Sequence, residues 1–308
     1  MEGVTDSIYR KTVMELFPEW DMFATDFLRV PTEGSISHKK ALEHFGEEIY
    51  NSPELKAKTT FQILTTPRAN TDQTIEILND LDFYHLDLNL GCPSRRVNAH
   101  LGGSYLLSDL KLLEEVVSGI RKKFDRCFTV KIRAGYKDDS EFDNIIKTLT
   151  DCGVDAITIH GRTKVEMYKG FAQWKYFSRA CELTSVPIIA NGDIWTPEDI
   201  HQIFNETNCY AVMCGRSAMK TPWLSTLYKS QNNDTTEERL KIRSMNNVKY
   251  FSSLIDRYSA DMEKTIVLKR IKAILRYSFE DYENGEQIKS NLLRTHDFDH
   301  FKSNILTQ

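Results

Sequence analysis

Between residues 21 and 214 the chain repeats one pattern, a short apolar run followed by a longer amphipathic one. The short runs fall at 21–27, 60–64, 83–88, 129–133, 156–160, 187–190 and 211–214. Helical periodicity fills the gaps, as at 71–81 and 110–124. Strands that alternate with helices pair in parallel, because a crossover helix returns the chain to the same end of the sheet. Local signals agree. Gly153 sits where a helix must stop before a strand, and Thr196-Pro197-Glu198 reads as a helix start. The count is seven strands, where a closed (β/α)8 barrel has eight.

The pattern changes after Tyr228. Residues 230–238 (SQNNDTTEE) are polar and read as a linker, and from about 239 to 308 helical periodicity replaces the strands. The expected fold is therefore α/β, a (β/α)8 TIM barrel over residues 1–230 followed by a small helical domain over 239–308. A chain of 308 residues is long enough for both. No apolar run approaches the ~20 residues of a membrane span. Met1 is not followed by a basic region and an apolar stretch, so the expected compartment is the cytoplasm. A net charge of −4 argues against a protein that coats nucleic acid nonspecifically.

Six cysteines are present: Cys92, Cys127, Cys152, Cys181, Cys209 and Cys214. None is spaced as Cys-x-x-Cys and no histidine cluster accompanies them, so no metal is expected. Five fit a role as small buried apolar residues. Cys92 differs, because it lies in Asp87-Leu88-Asn89-Leu90-Gly91-Cys92-Pro93-Ser94. This run puts a thiol on a turn at the carboxyl end of a strand, where barrel enzymes keep their chemistry. Ten residues on, Gly102-Gly103-Ser104 lets backbone approach closely.

Lys131 and Arg133 alternate with Val130 and Ile132 and so share one face of their strand. A lysine pointing into a barrel is costly without an anionic partner. A reduced flavin, with negative charge around N1 and O2, is such a partner. A salt bridge at the barrel mouth is the other reading. His160 ends the next strand before Gly161-Arg162-Thr163, as a core histidine or a site residue. Asn191-Gly192-Asp193 and Gly215-Arg216 follow the last two strands, where these barrels bind phosphate. Gln62 is polar amid apolar strand neighbours, which suggests an inward hydrogen bond. Asn89 is a turn residue bonding its own backbone or a group facing the mouth. Arg29 follows the first strand run and on its own reads as a solvated loop residue. Tyr168-Lys169-Gly170 and Trp174 suit a loop that covers a site or plain surface packing. In the run 264–277, Lys269, Lys272 and Arg276 form one helical stripe, while Val267, Ile271 and Ile274 form another. With Lys264 and Arg270 the run holds five basic residues and no acidic one, which favours an RNA-backbone face over a merely solvated one.

Together, the Cys92 run, Gly102-Gly103-Ser104, Val130-Lys131-Ile132-Arg133, His160-Gly161-Arg162-Thr163, Asn191-Gly192-Asp193 and Gly215-Arg216 resemble the signature set of the tRNA-dihydrouridine synthases. The order is the family's, the likeness spans residues 1 to about 224, and it is strongest to the bacterial C-type branch. The resemblance implies FMN as cofactor and NADPH or NADH as reductant. A hydride would pass from the flavin to C6 of a uracil ring, and a proton from Cys92 to C5. A thiol of ordinary pKa, about 8.5, is mostly protonated at neutral pH, as a proton donor must be. The likeness assigns Met1, Gln62, Lys131, His160, Asn191, Gly192, Asp193, Gly215 and Arg216 to the cofactor. It assigns Arg29, Asn89, Arg133, Arg162, Lys269, Arg270, Lys272 and Arg276 to the uridine or the tRNA around it. The implied target is a D-loop uridine, position 16 within the C-type branch. A poorly stacked uridine is cheap to extrude into such a site. The expected partner is tRNA, with no membrane and no metal, and the chain is expected to act as a monomer.

The sequence departs from the family in two places. Met1-Glu2-Gly3-Val4-Thr5-Asp6 begins in the middle of a run that in the family closes the first strand. A start at an internal methionine is therefore expected, with strand one lost and an open seam in the barrel. Tyr105 replaces a smaller side chain near Gly103. Three rivals remain: another FMN barrel acting on a free pyrimidine, an RNA-binding barrel without catalysis, and a sugar-phosphate lyase or isomerase. The last leaves Cys92 and the basic run unexplained. No Gly-x-Gly-x-x-Gly fingerprint is present, consistent with a nicotinamide that visits only to reduce the flavin.

Overall fold

The computed structural model describes residues 3–230, 236–280 and 282–307. Strands β1 (Phe23–Ala24) and β2 (Leu28–Arg29) are two halves of one strand position. Both pair with β3 (Thr59–Leu64), Phe23 opposite Thr59 and Leu28 opposite Ile63. At the break between them, the Thr25 hydroxyl accepts a hydrogen bond from the Gln62 N–H at 2.9 Å, so the ladder stays satisfied. The sheet continues through β4 (His85–Asn89), β5 (Cys127–Arg133), β6 (Ala156–His160), β7 (Ile188–Asn191) and β8 (Ala211–Met213). All pairs are parallel and follow chain order. The seven expected strands are therefore the seven strand positions observed. The result is an open, TIM-barrel-like half-barrel. Among the described residues no pairing joins β8 to β1 or β2.

Strand alternation sorts the side chains. Phe61, Ile63, Leu86, Leu88, Phe128, Val130, Ile132, Ile157 and Ile159 are fully buried, each worth roughly 1.5–3 kcal/mol of hydrophobic stabilisation. The intervening helices bring matching apolar stripes: Ile75 and Leu78 from Thr71–Asp80, Leu113 and Val117 from Leu110–Lys123, Ile145, Ile146 and Leu149 from Phe142–Asp151. The opposite parity carries Thr60, Gln62, His85, Asp87, Asn89, Thr129, Lys131, Arg133, Thr158 and His160, and this is the inner face. Helix starts follow capping chemistry. Asp109 caps Leu110–Lys123 at the Leu112 N–H, and Thr196 and Asp199 cap Pro197–Thr207 reciprocally. Each cap is worth about 1 kcal/mol.

The chain divides into two compact units, Met22–Cys214 and a second made of Met1–Asp21 with Gly215–Gln308. The second unit is helical: Ser7–Leu16, Thr236–Asp261, Lys264–Leu275, Gly285–Arg294 and Phe298–Ile305. The expected apolar stripe Val267, Ile271 and Ile274 is fully buried there. Asp6 caps the first helix at the Tyr9 N–H and accepts from the Tyr258 hydroxyl at 2.8 Å, which fixes the amino-terminal segment within this unit. The polar stretch expected as a linker to residue 238 is shorter than read, because the helix already begins at Thr236; residues 231–235 lie outside the described ones. Among the described residues no helix is long and apolar enough to cross a membrane. The cysteine expectation also needs correction. Cys209 is buried, but Cys127, Cys152, Cys181 and Cys214 are half-buried, each keeping part of its surface in contact with solvent.

Candidate active site

The turn after β4 is pinned at several points. Asn89 Oδ1 accepts from the Gly91 N–H at 3.1 Å, and the Leu90 N–H donates to the Lys131 carbonyl at 2.8 Å. The Cys92 carbonyl accepts from Asn98 Nδ2 at 3.0 Å, from Ser104 Oγ at 2.9 Å and from the Ser104 N–H at 3.3 Å. Gly103, at φ +57°, is required here. A Cβ would stand 2.9 Å from Val97 Cγ1 and 3.1 Å from the Cys92 carbonyl oxygen. The three donors and the glycine hold the backbone of Cys92 while its side chain stays half-buried. Asn98 and Ser104 are thus structural partners of the thiol loop. Only the Gly-Gly-Ser spacing hinted at them.

Register brings the remaining barrel residues into rows. Asn89 lies opposite Lys131, and Arg133 opposite His160, which lies opposite Asn191. The Lys131 ammonium makes no hydrogen bond and no ion pair among the described residues. Desolvation lowers its pKa to about 8, Arg133 adds repulsion, and Asp87 partly offsets both. Arg133 is buried, and its guanidinium donates to the carbonyls of Gly91 at 2.9 Å, Thr163 at 3.0 Å and Met167 at 2.8 Å. It also stands 5.4 Å from the Tyr168 ring centre. One side chain therefore ties the Cys92 turn to the loop after β6.

Arg162 is engaged in the same way. Only 2% exposed, it donates to the carbonyls of Lys169 at 3.1 Å and Gly170 at 2.6 Å and to Asp193 Oδ2 at 2.5 Å. Its Nη1 lies 3.4 Å from His160 Nε2. His160 is buried, 6.1 Å from the Tyr168 ring. Gly192, at φ +117°, gives way to it, since a Cβ would fall 2.8 Å from His160 Cδ2. Asn191 Nδ2 donates to the Met213 carbonyl at 2.8 Å, and Trp174 Nε1 to the Gly192 carbonyl at 3.2 Å. Arg29 is exposed on β2, 5.1 Å above the Phe27 ring.

Deeper on the inner face lies a polar layer that the sequence reading touched only at Gln62 and Asn89. Asn89 Nδ2 donates to Gln62 Oε1 at 2.9 Å, and Gln62 Nε2 donates to Asp87 Oδ2 at 2.7 Å. From the other side, Thr129 Oγ1 donates to Asp87 Oδ1 at 2.6 Å. His85 Nε2 lies 3.0 Å from Thr129 Oγ1, and Thr60 Oγ1 lies 2.7 Å from His85 Nδ1. Burial pushes the Asp87 carboxyl up to about 6 and the His85 imidazole down to about 4.

The second unit holds the other candidates. Gly215 precedes the short helix Arg216–Lys220, and Arg216 is half-buried. On Lys264–Leu275, Lys269 is exposed, as is Arg276 just past its end. Arg270 pairs with Asp6 Oδ2 at 3.5 Å. Lys272 donates to the carbonyls of Leu293 at 2.7 Å and Thr295 at 2.6 Å, the carboxyl end of a neighbouring helix. Arg133, Arg162 and Lys272, all read as RNA contacts, are therefore engaged with main-chain carbonyls. A cation that leaves bulk water must find such acceptors. Met1 lies outside the described residues.

The family model and the curated relatives agree with each other. The family model described as dihydrouridine synthase (Dus) matches residues 1–307. The tRNA-dihydrouridine(16) synthase of Haemophilus influenzae is 29% identical over 294 residues, 94% of this chain and 91% of that protein. The tRNA-dihydrouridine synthase B of Pasteurella multocida is 32% identical over 236 residues, 75% of this chain and 67% of that protein. Among solved structures, FabK from Thermotoga maritima aligns with 71% of this chain and 57% of its own at a TM-score of 0.44 and 13% identity, too little to bear on function. With the family model spanning nearly the whole chain, over a parallel half-barrel that pins a Cys-Pro turn beside a lysine whose ammonium makes no hydrogen bond among the described residues, the chain belongs to the dihydrouridine synthase family.

Proposed function

We propose that this chain is a flavin-dependent tRNA-dihydrouridine synthase that saturates the C5–C6 bond of a D-loop uridine, position 16. The observation that carries this reading is the ammonium of Lys131. It stands without a hydrogen bond or ion pair among the described residues, on the strand whose Lys131 carbonyl holds the turn bearing Cys92. A desolvated cation of this kind needs an anion, and the pyrimidine edge of a reduced flavin supplies one. The residues present therefore fit the cofactor the family uses. FMN is the form proposed, and NADPH, or NADH in its place, the reductant.

A flavin held by Lys131, Gln62 and His160 would supply the hydride that C6 of the uracil ring takes up. Cys92 Sγ–H gives the proton to C5, so one hydride and one proton add across the double bond. Gln62 and Asn89 offer amide groups to the flavin and the uracil, and His160 faces the same mouth. For the phosphate, the candidates in the first unit are Asn191 and Gly192, with Asp193 acting through Arg162. Those in the second are Gly215 and Arg216. Arg133 and Arg162 serve by holding the loops rather than by touching RNA. Lys269 and Arg276, both exposed, and Arg29 are the cations proposed for the tRNA backbone. We also propose a cytoplasmic protein that works as a monomer, with its catalytic part in residues 1–230 and its tRNA-gripping part in 239–308.

The test compares the purified protein with its Cys92→Ala variant, each supplied with FMN and NADPH. Both are expected to bind flavin, absorbing near ~450 nm as oxidised flavins do. Dihydrouridine formation in unmodified tRNA is expected to fall roughly 10²–10⁴-fold in the variant, the span of a lost general acid. Mapping the product base gives the position. A protein that binds no flavin would overturn the reading. Reduction of free uracil without tRNA would point instead to a free-pyrimidine enzyme.

A further inference from the structure

The inner faces of parallel barrels are normally packed with Val, Ile and Leu. Here the layer beneath the mouth is polar, and its hydrogen bonds run in one direction. Asp87 as a carboxylate can only accept. Gln62 must therefore turn its NH2 towards Asp87, which aims its Oε1 at Asn89. Asn89 must then present its NH2 to Gln62 and its Oδ1 to the Gly91 N–H, one residue before Cys92. On the far side, the Thr129 hydroxyl proton is committed to Asp87, so His85 Nε2 donates to Thr129 and Nδ1 accepts from Thr60. Two arms thus converge on one buried carboxylate. Only one of them reaches the mouth.

We propose that Asp87 is a positioning residue: its carboxylate fixes which way the amides of Gln62 and Asn89 point, and through Asn89 it sets the turn that carries Cys92. The inference rests on the proposed function for its purpose, since a flavin and a uracil each require donors and acceptors on defined sides. Its geometry stands independently. An amide flip would exchange N–H for C=O at the mouth and set the Asn89 NH2 against the Gly91 N–H from which its Oδ1 now accepts.

The test uses the flavin-free, 15N-labelled protein and follows the side-chain amides of Gln62 and Asn89. The wild type is expected to give one set of slowly exchanging resonances. Asp87→Asn keeps the shape but can donate as well as accept, so it no longer dictates the orientation of Gln62. Split Gln62 and Asn89 resonances, or exchange at least tenfold faster, are expected. With flavin and tRNA supplied, kcat is expected to fall about 30-fold while KM for tRNA stays within threefold. Thr129→Val cuts only the other arm. It is expected to destabilise the protein to a similar degree, yet to leave the amides in place and kcat within threefold. Unchanged amides in Asp87→Asn, or losses in both variants that simply follow stability, would overturn the proposal.

If Asp87→Asn does not fold, the wild type is titrated from pH 7.5 to 5. The titratable groups around Asp87 are His85 on its own strand and Lys131 and Cys127 on β5; the residues β3 presents, Thr60 and Gln62, do not titrate in this range. The midpoints of His85, near 4, Lys131, near 8, and Cys127, near 11, all lie outside the window, and Lys131 changes only at its upper edge, away from the expected midpoint. A common transition of the Gln62 and Asn89 amides with a midpoint at about 6 is expected from Asp87. The Asp87 carboxyl carbon is followed in the same samples, and amide shifts that stay flat while that carboxyl titrates would overturn the proposal. None of these amide readings needs flavin or RNA, so a protein that turns over no tRNA would count against the function and not against the positioning role.

Discussion

On the inner face of the sheet, Lys131 and Arg133 alternate along one strand and Arg162 follows the next. On the helix Lys264–Leu275, Lys269, Arg270 and Lys272 crowd a single turn. In sequence both groups are simply basic. In the structure each divides the same way. Arg133 and Arg162 hold loop carbonyls, and the Lys131 ammonium has no hydrogen-bond partner among the described residues. Lys272 holds a helix end, Arg270 pairs with Asp6, and Lys269 faces solvent with Arg276. The lesson is that charge alone does not mark a ligand site. A cation already bonded to carbonyls shapes the protein, and a cation without partners is left to meet something else.

The sharpest way to break this comparison is Lys131→Met. Flavin affinity is expected to fall a hundredfold to a thousandfold, on the order of 3–4 kcal/mol for a lost charge in a desolvated site. The flavin-free protein should respond in the opposite sense. Folding lowers the Lys131 pKa from 10.5 to about 8. The charged ammonium therefore costs stability below pH 8, and the cost fades as pH rises from 8 towards 10.5. Removing it should raise the Tm of the flavin-free protein at pH 7 by roughly 2–4 °C. A lower Tm would mean that Lys131 is a structural cation like its neighbours.

Arg133→Met comes next. Three carbonyls lose their donor, and a stability loss of roughly 2–3 kcal/mol is expected by urea denaturation. Flavin binding and turnover should fall only as far as the Cys92 turn loosens. A variant with wild-type stability and weakened tRNA binding would restore Arg133 to the RNA-contacting set.

In the helical unit, Lys269→Ala with Arg276→Ala is expected to weaken tRNA binding about tenfold at low salt. It should also reduce the slope of log affinity against log salt by about 2, one for each lost phosphate contact. The smallest effect is expected for Lys272→Met, about 1 kcal/mol of stability from an uncapped helix end with no change in salt slope. If the two variants shift the slope equally, the division between engaged and free cations does not hold there.

The fold was largely legible. All seven strand runs and the helices between them form at or within a few residues of the expected places, because periodicity and caps are local properties of the chain. The linker was less so, since a helix can begin in a polar stretch once later turns are packed. At the site, the Cys92 turn was readable from Asn-Leu-Gly-Cys-Pro, a local signal. Asp87 was not. It stands in the same run, but its meaning depends on Gln62, Thr129 and His85, which come from three strands. The engagement of Arg162 likewise depends on Asp193, 31 residues on.

By itself, then, the sequence determined the parallel α/β architecture, the helical carboxyl-terminal region, the thiol on its strand-end turn and the basic character of one helix. These follow from spacing and residue chemistry within a few turns or a single strand. Only the tertiary structure decided which cations are engaged and which remain open, which carboxylate lies at the end of the hydrogen-bond chain, and how Cys92 is held. Those outcomes depend on strand register and burial. Both are fixed by contacts between residues far apart in the chain, and a buried polar group takes its role from the partners it finds there.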